Sequence, residues 1–416
     1  MKKNSCIYGL TALIVIATAA WLVLFSTGCT MFGKKLTQLE KNSGVQYKNA
    51  VGYAGEQASK AFVLLSGKFP VYSEGSKWED SELGSWAEGY YPGMVWFLYQ
   101  TKKDTLYYRL ARQWLERLAN RKNDTSSFGL GQVFYPTFVI GYQITGNRTF
   151  RELALEAAQS ISSRFNKAGF FPAWGEPGDT VLTRRLSVES MMDLEFLYWA
   201  AEASGNRKYA NQADQHAFFT MLRLLNNDGR VLHVADFNPT TGEPYLQKTP
   251  ELADDKKYSP KGYSPSSVWA LGQAWAIYGF TTAYQHSSRT VFLNAARLSA
   301  DYFINHLPED GIPLWDFELP PNEPRAKDSS AGAVAAAALL KLSRIYPGGP
   351  EKKRFHEAAM KIITSLNQDY FGRTEVPGVL SGGLFNKNMS LGIGGSTSWG
   401  DYYFIEALLL LQDTRS

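Results

Sequence analysis

The sequence contains almost no cysteine. Only Cys6 and Cys29 occur in 416 residues, and both lie within the first 29. The rest of the chain therefore has no disulfide and no thiol nucleophile. A body of this size can bury a core large enough to fold without such cross-links.

Strong net charge and metal-ligand spacing are also missing. The formal net charge is only +4, and no run of Lys and Arg exceeds three residues, so a nucleic-acid groove is not expected. The five histidines show no paired ligand spacing. No glycine-rich phosphate loop and no Gly-x-Ser-x-Gly elbow occurs. We therefore expect no metal, no cofactor and no nucleic-acid partner.

Aromatic side chains, in contrast, are abundant. They make up 14% of the sequence and include 11 tryptophans and 23 tyrosines. Such residues can fill a core. They also line sugar-binding clefts, because a pyranose ring packs its C–H face on an aromatic ring while polar edges bind its hydroxyls.

The N-terminal segment has the pattern of an export signal. Two lysines precede an apolar run over 9–25, which is followed by Ser-Thr-Gly-Cys. This ending resembles a bacterial lipobox with Cys29 as the lipidated residue. We predict a lipoprotein signal peptide over 1–29, a tether over 30–45 and one catalytic domain over 46–416. The alternative is an uncleaved membrane anchor. Both interpretations place the protein outside the cytoplasm, periplasmic or at the cell surface, and tethered to a membrane.

Helical patterns repeat in pairs along the body. Between residues 91 and 368, five pairs each combine a helix that is apolar nearly all round with an amphipathic helix. Short turns such as Thr-Gly-Asn join the members of a pair, as in αα-hairpins. One unpaired apolar helix follows over 398–412, and residues 49–67 can supply its outer partner. Six inner and six outer helices predict an all-α fold, a closed (α/α)6 barrel.

The segments that lead from each outer helix to the next inner helix are long, and in such a barrel they gather at one end. Long loops on a rigid scaffold are common locations for functional sites. We therefore predict one site at the mouth of the barrel. The six segments are 72–90, 121–134, 167–188, 226–265, 308–330 and 370–397.

Two carboxylates lie at the start of an inner helix. Glu189 and Asp193 are four residues apart and therefore share a helix face. Ser187 is the better candidate for the helix cap. The apolar surroundings are expected to raise the pKa of Glu189, which suits a general acid. Asp193 has a second interpretation, because an acid in a first helical turn is stabilised by the helix dipole. We predict both carboxylates as catalytic.

Several aromatic residues and one histidine are candidates for substrate binding. Trp86, Trp174, Trp269 and Trp275 lie at or beside the starts of inner helices or in the mouth loops, and His233 lies in a strand-like run. Each residue alone is more often structural than a ligand contact. Four tryptophans that converge on one end nevertheless indicate a sugar-binding surface.

Blocks along nearly the whole body resemble one known family. They include SWAEGYYPGMVWFLY, VFYPTFVIGYQITGN, SVESMMDLEFLYWA, SVWALGQAWAIYGF and SWGDYYFIEALL, in this order. On these blocks the chain resembles glycoside hydrolase family 88, the unsaturated glucuronyl hydrolases. The resemblance implies an (α/α)6 barrel and a uronic-acid-containing oligosaccharide as the substrate.

The resemblance also implies a reaction. Family members act on fragments left by polysaccharide lyases, whose terminal uronic acid carries a C4=C5 double bond. An acid group protonates C4, water adds at C5, and the hemiketal that forms collapses and releases the next sugar. The glycosidic bond therefore breaks without attack at the anomeric carbon, unlike the common two-carboxylate scheme. The implied substrates are fragments of chondroitin, hyaluronan, heparin or related polymers.

Carried over residue by residue, the resemblance assigns roles to particular positions. The family's acid/base aspartate falls on Glu189, and its neighbouring asparagine falls on Asp193. We add Trp86 and Lys261 to the predicted substrate-binding residues on the basis of this sequence and not of the family. The residues that agree with family positions lining the site are Trp174, His233, Trp269, Gln273 and Trp275.

Other positions also depart from the family. Its second aspartate lies in a His-Asp-x-Gly-Phe pattern, but this chain has Phe128 and Gly129 there. A family arginine is replaced by Leu271, and a family glutamine by Lys261. We interpret the changes as linked. Asp193 keeps a second carboxyl in the site, and Lys261 keeps a cation that can receive the substrate carboxylate.

Two other functions are compatible with these residues. A lyase, or a glycosidase for saturated uronides, would use Glu189 and Asp193 as acid and base, with Tyr90 or Tyr263 contributing in a lyase. A non-catalytic glycan-binding protein is the third possibility. Its main support is that Gly129 replaces an aspartate.

Overall fold

The computed structural model describes residues 49–81, 83–126, 128–245 and 260–413. The predicted signal peptide, the tether and Cys29 lie outside these residues. In the part of the chain that is described, no helix is both long and apolar enough to cross a bilayer. Nor does this part contain a group of three His, Cys, Asp or Glu side chains arranged to hold a metal ion.

Inner and outer helices alternate along the chain, as predicted. Short 3-10 turns over Trp86–Gly89 and Val188–Asp193 precede two of the inner helices, and a π turn over Tyr135–Val139 separates α4 from α5. The elements in chain order are α1 (49–64), β1 (Phe69–Glu74), β2 (Lys77–Ser81), α2 (Tyr90–Lys102), α3 (Thr105–Leu118), α4 (Leu130–Phe134), α5 (Ile140–Thr145), α6 (Arg148–Ser163), β3 (Arg185–Ser187), α7 (Leu194–Ser204), α8 (Lys208–Leu224), β4 (Val234–Asp236), α9 (Ala270–Ser287), α10 (Thr290–Asn305), α11 (Ser329–Ile345), α12 (Gly349–Ser365), β5 (Gly383–Asn386), β6 (Leu391–Gly395) and α13 (Ser398–Asp413).

The inner helices form a closed ring. The helix α2 packs against α5, the pair α4 and α7 are neighbours, and α9 packs against both α7 and α11. The last inner helix, α13, contacts α11 on one side and α2 on the other, so the ring closes. These contacts confirm the predicted all-α (α/α)6 barrel.

The N-terminal helix α1 takes the place of the missing outer helix, as the sequence predicted. Its Phe62 ring stands edge-on against Trp114 of α3, with centroids 5.0 Å apart. Near its start, Tyr53 contacts Phe371, and Phe371 in turn contacts Phe404 of α13. The helix therefore lies beside the outer helix α3 and close to the inner helix α13.

Burial explains which helices are inner and which are outer. Every residue of α9 from Ala270 to Ala283 is buried, and the same holds for α11 from Ser329 to Leu340. The outer helices bury only one face, as an amphipathic helix should. The buried residues of α3, for example, are Leu110, Ala111, Trp114, Leu115 and Leu118.

Within the described residues, three small antiparallel sheets lie in the long connecting segments. The strand β1 pairs with β2, β3 with β4, and β5 with β6. The first and last sheets also touch, since the rings of Tyr72 and Phe385 stack with centroids 4.4 Å apart. These sheets give the mouth loops a defined shape.

Asp401 fastens the last inner helix to the segment in front of β5. It lies in the first turn of α13 and is completely buried. Its Oδ2 accepts a hydrogen bond from the Val379 N–H (2.9 Å), and its Oδ1 accepts one from the Leu380 N–H (2.8 Å). Both carboxylate oxygens therefore serve backbone donors that are themselves shielded from water.

We predict that Asp401→Asn lowers the free energy of unfolding by about 1–3 kcal/mol. An amide offers one acceptor oxygen to two buried N–H donors, so one donor is left without a partner. Urea denaturation followed by circular dichroism measures the change. The control Glu309→Gln makes the same carboxyl-to-amide change at an exposed position. Equal midpoints for the two variants would contradict the anchoring role.

Candidate active site

The pairing of β3 with β4 brings together Glu189 and His233, which are 44 residues apart in the sequence. Directly after β3, the Val188 N–H donates to the His233 carbonyl at 3.0 Å. At the other end of the ladder, Arg185 lies opposite Asp236, and its guanidinium donates twice to that carboxylate, at 2.6 and 2.8 Å. A short, ion-paired ladder thus positions the two candidate residues.

The start of an inner helix holds Glu189 in place. Ser187 is the N-cap of the 3-10 turn that leads into α7, as expected from the sequence. Its Oγ accepts from the Glu189 N–H at 3.2 Å and lies 3.2 Å from Glu189 Oε2. The Glu189 side chain is only 2% exposed, so its charge must be balanced by neighbouring groups.

Glu189 is ionised, contrary to the sequence-based prediction. Lys261 Nζ donates to Oε1 at 2.9 Å, and His233 Nε2 lies 3.0 Å from Oε2. Burial by itself raises the pKa of this carboxyl, but the charge of Lys261 and the hydrogen bond from His233 outweigh it and lower the pKa to about 2. The prediction of a raised pKa was wrong because it took account of apolar neighbours and not of the cation.

The hydrogen bonds of His233 define its tautomer. Its Nδ1 accepts from the Lys261 backbone N–H at 2.9 Å. The hydrogen of the neutral ring therefore sits on Nε2 and points at Glu189. Burial lowers the pKa of His233, which favours this neutral form. Lys261 consequently reaches Glu189 twice, directly through its ammonium group and indirectly through the imidazole.

Two residues that the sequence did not reveal hold the segment around Lys261. Asp316 is completely buried, and its Oδ2 accepts from the Tyr263 N–H at 2.8 Å. Asn388 donates through Nδ2 to the Gly262 carbonyl at 2.7 Å. These partners are 53 and 126 residues apart in the chain, so no local pattern could connect them.

The Lys261 ammonium group is enclosed by aromatic rings. It lies 5.5 Å from the ring centroid of Trp86, 5.2 Å from that of Trp269 and 5.3 Å from that of Phe385. Each ring face attracts a cation weakly. The three rings and Glu189 together hold the charge where it borders the barrel mouth.

A cavity of about 570 Å³ opens beside Lys261. Its walls come from five of the six predicted mouth segments, and Trp86, Trp174 and Lys261 lie on it as predicted. The lining combines aromatic rings with polar groups, as clefts that bind sugars do. The lining residues are Gly84, Ser85, Trp86, Ser126, Phe128, Trp174, Gly175, Glu176, Asp179, Leu182, Lys261, Phe385, Asn386, Met389 and Leu391.

Gln273 does not reach this cavity, which corrects the prediction that it binds substrate. Its Oε1 accepts from the Val231 N–H at 2.9 Å. Its Nε2 donates to the carbonyls of Gly229 at 2.7 Å and Ser299 at 3.0 Å. Because both amide hydrogens are used and the side chain is fully buried, Gln273 fastens the loop before β4 to the barrel instead.

Trp269 and Trp275 support the site from behind. Both are 1% exposed and neither lines the cavity. The Trp269 ring contacts the His233 ring with centroids 4.7 Å apart, and Trp275 stands edge-on against Trp86 at 6.5 Å. Their contribution is to position groups that border the cavity, which is the packing interpretation left open by the sequence.

The Asp193 carboxylate binds the backbone at the start of a neighbouring helix and does not line the cavity. Its Oδ2 accepts from the Gly129 N–H at 3.0 Å, and its Oδ1 accepts from the Gln132 N–H at 3.2 Å. Burial raises the pKa of Asp193 to about 6, in spite of these bonds. The helix-dipole interpretation concerned the helix that carries Asp193 itself, whereas the structure places this carboxylate against backbone N–H groups at the start of α4. The geometry gives no support to its predicted catalytic role.

The glycines around this contact explain the missing family aspartate. Gly129 has φ of +91°, and a Cβ there would collide with Trp86. A Cβ at Gly131 would lie 2.7 Å from Asp193 Oδ1. An aspartate at 129 is therefore incompatible with this arrangement, in which the carboxyl of Asp193 approaches the same backbone from the neighbouring helix.

We predict that Gly129→Ala lowers the free energy of unfolding by about 2–4 kcal/mol, because it adds a steric collision to an unfavourable backbone conformation. Gly146→Ala is the matched control. Gly146 has φ of +71° but open space around it, so only the backbone cost of about 1–2 kcal/mol applies. Urea denaturation compares the two variants. Equal losses would show that the contact with Trp86 is not tight.

Comparison with known proteins gives the family. Residues 66–403 match Glycosyl Hydrolase Family 88. An unsaturated glucuronyl hydrolase of Bacillus sp. (strain GL1) is 30% identical over 375 residues, which cover 88% of this chain and 97% of that protein. An unsaturated chondroitin disaccharide hydrolase of Streptococcus pyogenes serotype M1 is 29% identical and covers 78% and 80%. The crystal structure of the Bacillus sp. GL1 enzyme aligns with a TM-score of 0.81 at 28% identity, over 88% of this chain and 97% of that one. The chain belongs to glycosyl hydrolase family 88.

Proposed function

We propose that this glycoside hydrolase releases an unsaturated uronic acid from the non-reducing end of lyase-generated oligosaccharides by hydration of the C4=C5 bond. The observation that carries the proposal is the placement of Glu189. It stands where the family resemblance locates the acid/base residue, directly behind Lys261 on the wall of the cavity. The relatives named above act on unsaturated glucuronyl and chondroitin-derived sugars, which supports the same substrate class here.

The reaction needs one carboxyl group that gives and then accepts a proton. Protonated Glu189 donates to C4, and the positive charge that forms at C5 is shared with the ring oxygen. The resulting carboxylate takes a proton from the water that adds at C5. The hemiketal opens to a ketone at C5 and leaves a hemiacetal at C1, which then expels the next sugar. One water is consumed, and Glu189 regains its proton.

The cavity suits a uronic acid. Trp86, Trp174 and Phe385 place aromatic rings on the cavity wall, against which a pyranose can pack, and Lys261 offers a positive charge to its carboxylate. The volume of 570 Å³ is within the range of about 300–1,000 Å³ that is usual for small-molecule sites. A short oligosaccharide can therefore place its terminal ring against Lys261.

The alternative chemistries have less support from the geometry. A two-carboxylate glycosidase would need Asp193, whose oxygens are occupied by backbone donors. In a lyase, Tyr90 would have to lose its proton, but burial raises the pKa of that phenol well above its usual value, and its hydroxyl donates to Gln132. Tyr263 is exposed and its hydroxyl faces Glu323. Neither tyrosine is placed as a base at Glu189.

We predict that Glu189→Gln lowers kcat by roughly 100- to 10,000-fold, because it removes the proton donor but retains the shape of the side chain. The assay follows the loss of ultraviolet absorbance of the conjugated double bond in a panel of unsaturated disaccharides. Glu189→Asp restores the family residue and should keep measurable activity. Activity of Glu189→Gln equal to wild type would overturn the role of Glu189. No absorbance loss with any disaccharide would overturn the proposed reaction.

We also propose that the protein is exported and held at a membrane by a lipid on Cys29. The support is the sequence pattern, with a basic start, an apolar run and Ser-Thr-Gly-Cys at its end. A tether would keep the enzyme where lyases release polysaccharide fragments outside the cell. The competing interpretation is an uncleaved apolar anchor, and the two differ in what a change at Cys29 does.

We predict that Cys29→Ala abolishes incorporation of labelled fatty acid and leaves a longer, unprocessed chain. Labelling of cells, followed by separation of membrane and soluble fractions, measures both. Matched cells that carry Cys6→Ala provide the control, because that cysteine precedes the apolar run. A wild-type chain without label, and unchanged in length by Cys29→Ala, would favour the anchor.

A further inference from the structure

The ion pair between Lys261 and Glu189 poses a chemical problem for the proposed reaction. Glu189 must carry a proton to protonate C4, yet in this arrangement it is a buried carboxylate held by an ammonium group at 2.9 Å. The acid is therefore not ready before the substrate arrives. A change at Lys261 is needed to make Glu189 protonated.

Lys261 is placed to bind the substrate's carboxylate. Its side chain is 13% exposed and borders the cavity, while Glu189 lies behind it at 2%. Among the described residues that line the cavity, Lys261 carries a positive charge, and Glu176 and Asp179 carry negative ones. Lys261 is therefore the group on the cavity wall that can pair with the carboxylate of an anionic sugar.

The chemistry of a lysine ammonium group allows it to change its carboxylate partner. A lysine has a flexible four-carbon stem and three donor hydrogens. The rings of Trp86, Trp269 and Phe385 lie 5.2 to 5.5 Å from the ammonium group and keep the charge at the cavity wall whichever carboxylate it binds. The direct bond from Lys261 Nζ to Glu189 is the interaction that a second carboxylate would compete with.

We propose that the uronate carboxylate of the substrate displaces Glu189 from Lys261, and that this exchange converts Glu189 into the carboxylic acid that protonates C4. The inference rests on the proposed function and deepens it. It makes Lys261 both a specificity residue, which selects anionic sugars, and a positioning residue, which acts on the reaction through Glu189.

The proton balance follows from burial. Without the ammonium group, Glu189 keeps only the neutral donors His233 and Ser187, and burial then favours its protonated form. One proton enters from solvent when the substrate binds, passes to C4, and is replaced from the attacking water. It leaves when the product departs and Lys261 returns to Glu189. Among the described residues, Tyr90 interacts electrostatically with Glu189, and Arg185, which is paired with Asp236, interacts with His233. Asp193, whose own charged neighbour is Arg164, lies one helical turn after Glu189.

The exchange is tested by counting protons that are taken up on binding. A saturated glucuronyl disaccharide lacks the double bond and cannot be hydrated, so calorimetry can follow its binding to the intact protein. At about pH 6, titrations in buffers of different ionisation enthalpy should show uptake of about one proton per ligand by the wild type. Lys261→Met should show none, because Glu189 is already protonated in that variant. Lys261→Arg retains the cation and should retain the uptake.

Steady-state kinetics supply a second readout. With an unsaturated disaccharide, Lys261→Met should raise KM by roughly ten- to hundredfold, since a charge-assisted hydrogen bond to the substrate is lost. Lys387→Met is the matched control. It removes a positive charge close to Asn386 on the cavity rim and leaves the pair of Lys261 and Glu189 intact. Thermal denaturation establishes that each variant is folded.

Several results would overturn the exchange. The exchange is contradicted if the binding heats of the wild type do not depend on the buffer, or if wild type and Lys261→Met take up protons equally. It is also contradicted if Lys261→Met leaves KM unchanged, or if the wild type fails to bind the saturated disaccharide. These results are separable from failure of the proposed function. Activity that depends on Glu189 without proton uptake would refute the exchange alone, whereas proton uptake without hydration of any unsaturated sugar would refute the proposed reaction alone.

Discussion

The site depends on one constraint, which is that a buried carboxylate cannot stay charged without partners. Glu189 is enclosed at the start of an inner helix, and its charge is balanced by Lys261 and hydrogen-bonded by His233. The features that bring these partners into place follow from that need. The pairing of β3 with β4 positions His233 beside Glu189, and hydrogen bonds with Asp316 and Asn388 hold the segment that carries Lys261.

A second contact explains how this chain departs from its family without losing the barrel. Asp193 binds the backbone at the start of α4, where two glycines allow it to approach. Because Gly129 also lies against Trp86, the aspartate that the family carries at this position could not be accommodated. Gly129, Asp193 and Trp86 therefore form one linked arrangement, and the absence of an acid at 129 reflects packing.

The barrel connects these two contacts to the cavity. Inner helices such as α9 and α11 are buried on all sides over most of their length, and the long loops between hairpins project from one end of the barrel. Trp269 is the N-cap residue of α9 and packs against His233, and Trp275 lies within α9 and packs against Trp86. The cavity wall is thus made of loop residues whose positions are set by aromatic side chains of the core.

The sequence by itself determined the architecture, because hydrophobic periodicity marks inner and outer helices and short turns mark the hairpins. It also indicated a candidate acid/base residue and the aromatic character of the site. The family that it indicated was confirmed by the comparisons. Only the tertiary structure decided that Glu189 is ionised, that Asp193 binds backbone, and that Gln273 is structural. Hydrogen bonds and charge balance depend on distances between residues far apart in the chain. Lys261, 72 residues from Glu189, becomes its counter-ion only through folding.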